Sequence, residues 1–156
     1  ASLRDNVAFY TPKASDDEIK QAIHVVGLDD LVKELPDGLD TIIGQGKRVL
    51  SGGQAQRIAL ARAFLDQQRK VMIFDEPTAH LDIETEVDLK KKMLPLMKDH
   101  LVIFATHRLH WMKEMDYILV MDHGKLVEQG TFDELGKKNG YFVKLIEKMR
   151  GDHDEQ

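Results

Sequence analysis

The chain has 156 residues, of which 42% are hydrophobic and 31% charged, which is enough for one core but not for a second full domain. The formal net charge of −5 argues against nonspecific nucleic-acid binding, and the lack of cysteine excludes disulfides and thiolate metal sites. The longest apolar stretches are far shorter than the roughly 20 residues of a membrane-spanning helix, so any membrane role is expected to come through a partner.

The first part of the chain is predicted to be mostly helical. Residues Ser15 to Glu18 form a capping box and Gly27 provides a stop, so a short helix is expected between them. Asp29 or Asp30 is expected to cap a second short helix. The segment Thr41–Ile43 is then predicted to be briefly extended.

The run Ser51-Gly52-Gly53-Gln54 lies directly before a strong helix that is predicted to reach about Asp66. Two glycines leave backbone N–H groups unshielded, Ser51 adds a hydroxyl, and the positive end of the helix dipole points to the same place. This pattern indicates an anion site, although a Gly-Gly pair before a helix is about as often only a capped turn.

The apolar run Val71–Phe74 is predicted to be a strand buried on both faces, and it ends in Asp75 and Glu76. Ligands collect at the carboxyl ends of such strands. An aspartate there can hold Mg²⁺, and an adjacent glutamate can deprotonate the attacking water of a phosphoryl transfer. Two adjacent acids would repel each other without a cation, which favours the metal interpretation over a simple cap.

Further strands and helices follow in alternation, which predicts a parallel sheet. The segment Ile83–Met93 is predicted to be a helix that Pro95 ends or kinks, Leu101–Ala105 a buried strand, and Arg108–Glu114 a short helix.

The last part of the chain is predicted to hold a hairpin and two helices. Strands Tyr117–Met121 and Leu126–Glu128 flank a turn, and Thr131–Glu134 is another capping box. A final helix begins near Tyr141, and residues 151–156 form a polar tail.

His107 follows the strand that ends at Ala105, where a ligand-sensing residue would lie, yet a lone histidine after a strand is more often a structural hydrogen-bonding group. His110, three residues on, suggests zinc only weakly, because no cysteine or well-placed carboxylate accompanies the pair. Zinc is therefore rejected.

Four motifs in order resemble the nucleotide-binding domain of an ABC transporter of the exporter type. Leu50–Gln54 matches the LSGGQ signature, Val71–Glu76 the Walker B strand, Ala79–Asp82 the D-loop, and Thr106–Arg108 the segment of the switch histidine. The resemblance implies an α/β fold, the P-loop NTPase-like ABC ATPase fold, and covers nearly all residues.

No Gly-x-x-x-x-Gly-Lys-[Ser/Thr] motif occurs in the chain, so a partial domain without the Walker A region is expected. The resemblance implies a helical subdomain over residues 1–66, the C-terminal part of a RecA-like core over 67–150, and a tail over 151–156. The sheet is then expected to expose an unusual edge or to cover it by self-association.

In this family two domains stack head to tail, and each ATP lies between them. The resemblance implies that Ser51 and Gly53 contact the γ-phosphate of the ATP bound to the partner domain, while Gly52 and Gln54 shape that loop. Isolated from the rest of its domain, the chain is expected to have little or no ATP hydrolase activity, whereas the intact protein is an ATP hydrolase coupled to transport.

The chain's own nucleotide is implied to be served by other residues. Asp75 would hold Mg²⁺, Glu76 and His107 would be catalytic, and Asp82 would communicate between the two sites. The implied location is the cytoplasmic face of the cell membrane, with the transmembrane domains of an exporter as partners and no nucleic acid.

Segments at 36–41 and 121–131 resemble those of exporters. Segments at 50–65 and 107–130 are similar to the CydD and CydC group of exporters, which implies thiol or haem export. Two departures are visible. Residues 44–48 contain no acid where exporters usually have one, and His80 stands where serine is common.

Two alternatives remain. In the first alternative, the chain is a noncatalytic docking or dimerisation module. In the second, it is a DNA-repair ATPase head of the Rad50/SMC type. The second requires a long coiled coil, and no sustained heptad precedes Leu50.

Overall fold

The computed structural model describes residues 1–44 and 46–154. It divides the chain into two compact units, Ala1–Ala105 (unit 1) and Thr106–Gln156 (unit 2). No described helix is both long and apolar enough to cross a membrane. Gln45, within the loop that lacks an acid, and the last two residues of the expected tail lie outside the described residues.

Unit 1 contains five α-helices, a short 3₁₀ turn and two strands among its described residues. In chain order they are α1 (Leu3–Val7), α2 (Asp16–Val25), α3 (Asp29–Glu34), the 3₁₀ turn (Gly38–Asp40), α4 (Gly52–Leu65), β1 (Val71–Asp75), α5 (Ile83–Met97) and β2 (Leu101–Ala105).

Local capping signals position most of these helices. The Ser15 hydroxyl accepts from the Glu18 N–H at 3.2 Å and the Glu18 carboxylate accepts from the Ser15 N–H at 2.7 Å, which confirms the predicted capping box. The predicted cap of α3 is wrong. Leu28 is its N-cap and makes no side-chain hydrogen bond, so Asp29 and Asp30 lie inside the first turn, where their charges favour the helix dipole.

The core of unit 1 lies around α4, which packs against α1 and α2. Its buried residues are Ile58, Leu60, Ala61 and Phe64, which do not fall on one narrow stripe because neighbouring helices cover more than one side. Residues on α1 and α2 complete this core, including Leu3, Val7, Ile19 and Ile23.

Strands β1 and β2 pair in parallel, from Val71 with Leu101 to Asp75 with Ala105, as the alternation of strands and helices predicts. The predictions that β1 is buried on both faces and that β2 is a buried strand are wrong. In β1 only Met72 and Phe74 are buried, and no residue of β2 is fully buried. Burial of a sheet depends on what covers each face, and within unit 1 one face remains open.

Helix α5 continues through Pro95 to Met97, so Pro95 does not end it, and the alternative that Pro95 kinks the helix stays a prediction. Proline removes one N–H donor and crowds the preceding turn. The last turn nevertheless forms, since Met93 and Met97 are buried and the Lys98 N–H bonds the Leu94 carbonyl at 3.2 Å.

Unit 2 is a hairpin with helices packed on it. Its elements are α6 (Leu109–Met112), β3 (Ile118–Asp122), β4 (Lys125–Gly130), α7 (Phe132–Lys137) and α8 (Tyr141–Asp154). The antiparallel pairing confirms the predicted hairpin. His123 and Gly124 in its turn have φ of 47° and 74°, the left-handed pair typical of two-residue hairpin loops. Met112, Val120, Leu135 and Phe142 form the core.

Two of the predicted segment ends differ from the structural boundaries. Residues Gly151 to Asp154, predicted as a polar tail, belong to α8. The subdomain boundary predicted near Asp66 lies inside unit 1, and the subdivision it marks stays a prediction.

Candidate functional site

The start of α4 is closed by a reciprocal capping box. The Ser51 hydroxyl accepts from the Gln54 N–H at 3.1 Å, and the Gln54 side-chain carbonyl accepts from the Ser51 N–H at 3.0 Å. Ser51 has extended backbone angles, and Gly52 and Gly53 are the first two helical residues. The side chains of Ser51 and Gln54 therefore fix the point at which α4 begins, directly after Ser51.

This helix start fits an anion. The first N–H groups of a helix have no carbonyl in a preceding turn to bond, and here they belong to Gly52 and Gly53, which have no side chains to cover them. The Ser51 hydroxyl uses its oxygen as an acceptor and keeps a proton to donate. Ser51 and Gly52 are exposed, so a phosphate can reach them from outside.

The two glycines also allow close packing with the loop after β1. A Cβ on Gly52 would lie 3.7 Å from the His80 ring. A Cβ on Gly53 would lie 3.3 Å from the Leu81 side chain and 3.4 Å from the His80 carbonyl oxygen, which is tighter than ordinary contact. The helix start and residues 80–81 are therefore in contact.

The carboxylates predicted at the end of β1 lie in the same unit. Asp75 is exposed and pairs in register with Ala105. Glu76 leaves the strand with a φ of 45°, a left-handed conformation that non-glycine residues rarely adopt. Its N–H donates to the Ala105 carbonyl at 2.9 Å, and its carbonyl accepts from the Ala79 N–H at 3.3 Å.

Gln56 joins the helix to this loop, and the sequence analysis did not identify it. Its side-chain amide donates to the Glu76 carbonyl at 2.9 Å and accepts from the His80 N–H at 3.2 Å. Nothing in the local sequence distinguishes Gln56 from a surface glutamine. The contact with residues 20 and 24 positions away exists only in the folded chain.

Asp82 is the N-cap of α5. Its carboxylate accepts from the Thr85 hydroxyl at 2.6 Å and from the Thr85 N–H at 3.1 Å. These hydrogen bonds lower the pKa of Asp82, that from the Thr85 side chain having the largest effect.

Arg57 supports the same region from α4. Its guanidinium donates to the Gly27 carbonyl at 3.2 Å and to the Gly53 carbonyl at 3.4 Å. Burial lowers the pKa of Arg57, and the charge of Asp82 opposes that shift. Arg57 thereby ties the end of α2 to the start of α4, a contact that the sequence analysis also missed.

His107 belongs to unit 2, where it is exposed. The neighbouring Arg108 N–H donates to the Thr106 hydroxyl at 3.0 Å, which shapes the turn that carries His107. Within unit 1, the start of α4 contacts residues 80–81, and Gln56 of α4 bonds the Glu76 carbonyl.

The fold and these residues define a class of protein. A parallel β-α-β unit with carboxylates at a strand end, beside a glycine-rich helix start, is typical of α/β nucleotide-binding proteins. A bacterial Atm1-family ABC exporter with ATP bound has a similar structure, with a TM-score of 0.83 and 33% identity over 95% of this chain and 26% of that one.

The sequence profile described as "ABC transporter" matches residues 1–79. The glutathione/L-cysteine transport system ATP-binding/permease protein CydC of Bacillus subtilis is 54% identical over 97% of this chain, and that of Haemophilus influenzae is 38% identical over 95%. The chain belongs to the ABC transporter family, in which it is an exporter-type, CydC-like nucleotide-binding domain. It spans about a quarter of the length of these relatives, 26% in both cases.

Proposed function

We propose that this chain contributes parts of two different ATP sites to the motor of an exporter. The observation that carries the proposal is that the Ser51 helix start and the Asp75–Glu76 carboxylates occur in one compact unit of a chain 54% identical to an ATP-binding/permease protein. The proposed subdomains are residues 1–66 and 67–150, as the sequence predicts.

The Ser51 helix start is proposed to receive the terminal phosphate of the nucleotide that a second nucleotide-binding domain holds. Ser51 donates through its hydroxyl and Gly53 through its N–H group, while Gly52 shapes the loop. Gln54 holds Ser51 in place through the capping box. Ser51 and Gly52 are exposed and Gly53 is half-buried, so the loop is accessible to a partner domain.

The carboxylates after β1 are proposed to act on the chain's own nucleotide. No group of three or more possible metal-ligating side chains occurs in the described part of the chain, and Asp75 by itself suits Mg²⁺, which commonly uses one carboxylate together with phosphate oxygens and waters. When bound, Mg²⁺ neutralises charge on the phosphates. Glu76 accepts a proton from the attacking water.

Two further residues complete the proposed roles. His107 senses the terminal phosphate through its imidazole and contributes to catalysis. Asp82, at the start of α5, communicates between the two nucleotides because its loop packs against the Gly53 end of α4.

The partners follow from the family and are part of the proposal. They are a second nucleotide-binding domain and the transmembrane domains of an exporter, with this chain at the cytoplasmic face of the membrane. The proposed cargo is a small thiol, because the CydC relatives are named for glutathione and L-cysteine transport.

Hydrolysis by the full-length protein tests this function. In membrane vesicles, Glu76→Gln is expected to abolish Mg²⁺-dependent ATP hydrolysis, because the amide accepts no proton from water. Glu84→Gln is the matched control, since Glu84 is exposed in the first turn of α5 and loses the same charge. The Glu84→Gln protein is expected to keep its ATP hydrolysis, and reduced glutathione or cysteine is expected to stimulate it.

The outcomes separate the alternatives. Hydrolysis that depends on Glu76 supports the motor, and stimulation by thiols supports the cargo. Equal activity in the Glu76→Gln and Glu84→Gln proteins would overturn the catalytic role and favour a noncatalytic docking module.

A further inference from the structure

Glu76 is held in a conformation that it would not adopt unaided. A left-handed backbone is unfavourable at a residue with a Cβ, so the surrounding contacts must hold it. The Ala105 carbonyl restrains its N–H, and the Gln56 amide and the Ala79 N–H restrain its carbonyl. Of these three restraints, only that from Gln56 comes from a side chain.

The chemistry of Gln56 suits two different partners at once. The Glu76 carbonyl can only accept a hydrogen bond and the His80 N–H can only donate one, so the orientation of the amide is fixed by its partners. Glutamate lacks the donor, and methionine lacks both a donor and a strong acceptor. One side chain therefore closes the loop between Glu76 and His80.

The same side chain projects from the helix that starts at Ser51. Gln56 lies five residues after Ser51 on the rigid helix α4, and the His80 ring packs beside Gly52. A displacement of the helix start would therefore also move Gln56, and through the hydrogen bond from Gln56 to the Glu76 carbonyl it would move the Glu76 backbone.

We propose that Gln56 is a positioning residue that sets the direction of the Glu76 carboxylate and couples it to the helix start at Ser51. The inference rests on the proposed function, in which Glu76 deprotonates water. Gln56 itself contacts neither water nor nucleotide in this role. It fixes the backbone from which the Glu76 side chain extends.

The first test measures kcat and KM for ATP separately in the full-length protein. In Gln56→Glu a carboxylate oxygen replaces the amide N–H that donates to the Glu76 carbonyl, so two oxygens face each other. The second carboxylate oxygen can still accept from the His80 N–H. We expect kcat to fall about tenfold to a hundredfold, as misplacement of a catalytic group does, with KM for ATP unchanged. Gln68→Glu, at an exposed position, is the control with the same change of charge.

The second test uses amide hydrogen exchange on the chain itself. Gln56→Met removes both hydrogen bonds, whereas Gln56→Glu keeps the one to His80. The His80 amide is expected to exchange at least about tenfold faster in Gln56→Met and at the wild-type rate in Gln56→Glu. Equal exchange in all three proteins would overturn the bridge without any measurement of activity.

The failures are distinguishable. If Glu76→Gln abolishes hydrolysis while Gln56→Glu leaves kcat unchanged, the positioning role is wrong and the motor stands. If the wild-type and Glu76→Gln proteins hydrolyse ATP at the same rate, the proposed motor function is wrong, and the positioning role of Gln56 is then wrong as well. A parallel loss of kcat, ATP affinity and unfolding temperature in Gln56→Glu would indicate a structural role alone and would also overturn the inference.

Discussion

The Thr78 hydroxyl donates a hydrogen bond of 2.6 Å to the carboxylate of Glu86, and both residues are buried, with 2% and 0% of their surfaces exposed. Thr78 follows Glu76 by two residues, and Glu86 lies in the first turn of α5. This buried pair anchors the loop that carries Glu76 to the helix behind it. The loop is therefore held by α5 through Glu86 and by α4 through Gln56.

Removing the Thr78 hydroxyl is expected to destabilise unit 1. Thr78→Val keeps the shape but takes a donor from a buried carboxylate, which costs about 1–3 kcal/mol of the free energy of unfolding. Urea denaturation of the chain measures the loss. Thr78→Ser retains the hydroxyl and is expected to keep most of the stability. A larger loss in Thr78→Ser than in Thr78→Val would show that the methyl group, not the hydrogen bond, matters.

Two substitutions of Ser51 separate its role in the helix from its role toward phosphate. Ser51→Ala removes the cap and is expected to cost about 1 kcal/mol of stability. Ser51→Asp keeps a good N-cap, so stability is expected to hold, but its charge repels phosphate. Denaturation and retention of Mg²⁺-ATP by the full-length dimer measure the two effects. Undiminished retention in Ser51→Asp would contradict the anion site.

The cap at Asp82 predicts a dependence on acid pH. Its folded pKa lies below the ordinary 3.8, so the stability it contributes is full above that value and is lost as the pH falls through the lowered folded pKa. Thr85→Ala removes the hydroxyl that causes the largest part of the shift. A carboxyl titration by NMR is expected to show the pKa of Asp82 rising in this variant. An unmoved pKa would exclude the Thr85 hydroxyl as the cause.

The open face of the β1–β2 sheet is expected to make the isolated chain associate. Ile73 and Ile103 are neighbours in register on this face, and their exposed fractions are 72% and 54%. Exposed apolar surface of this kind promotes aggregation or self-association. Sedimentation at rising concentration is expected to show oligomers in the wild type and fewer in Ile73→Lys/Ile103→Thr.

Val49→Lys is the control for this prediction, because Val49 is 75% exposed and lies outside both strands. The control is expected to associate as the wild type does. A wild-type chain that stays monomeric throughout would contradict the prediction, and an equal effect of Val49→Lys would show that only net charge is involved.

Signals that act within one turn of chain were predictable. The capping boxes at Ser15 and Thr131 occur as predicted, because the side chain and the N–H it accepts from are three residues apart. The hairpin turn at His123-Gly124 also follows from its own residues.

Features that depend on distant segments were not predictable. An apolar run such as Val71–Phe74 is compatible with a strand covered on one face or on two, and only the neighbouring layers decide. The hydrogen bonds of Gln56 to Glu76 and His80 leave no local pattern. Pro95 stays helical because Met93 and Met97 are buried on either side of it, which its immediate sequence does not reveal.

We propose that each ATP site is built from two chains. Nucleotide retention by dimers that differ only in which chain carries each substitution tests this proposal. One dimer carries Ser51→Arg in one chain and Asp75→Asn, or the aligned substitution, in the other. A second dimer carries both substitutions in one chain. Mg²⁺-ATP that stays bound through rapid gel filtration is counted for each.

If the sites are shared, the first dimer concentrates both defects in one site and leaves the other intact, so it is expected to retain half of the wild-type nucleotide. The second dimer damages both sites and is expected to retain none. The reverse result, none in the first dimer and half in the second, would show that each chain builds its own site and would contradict the account.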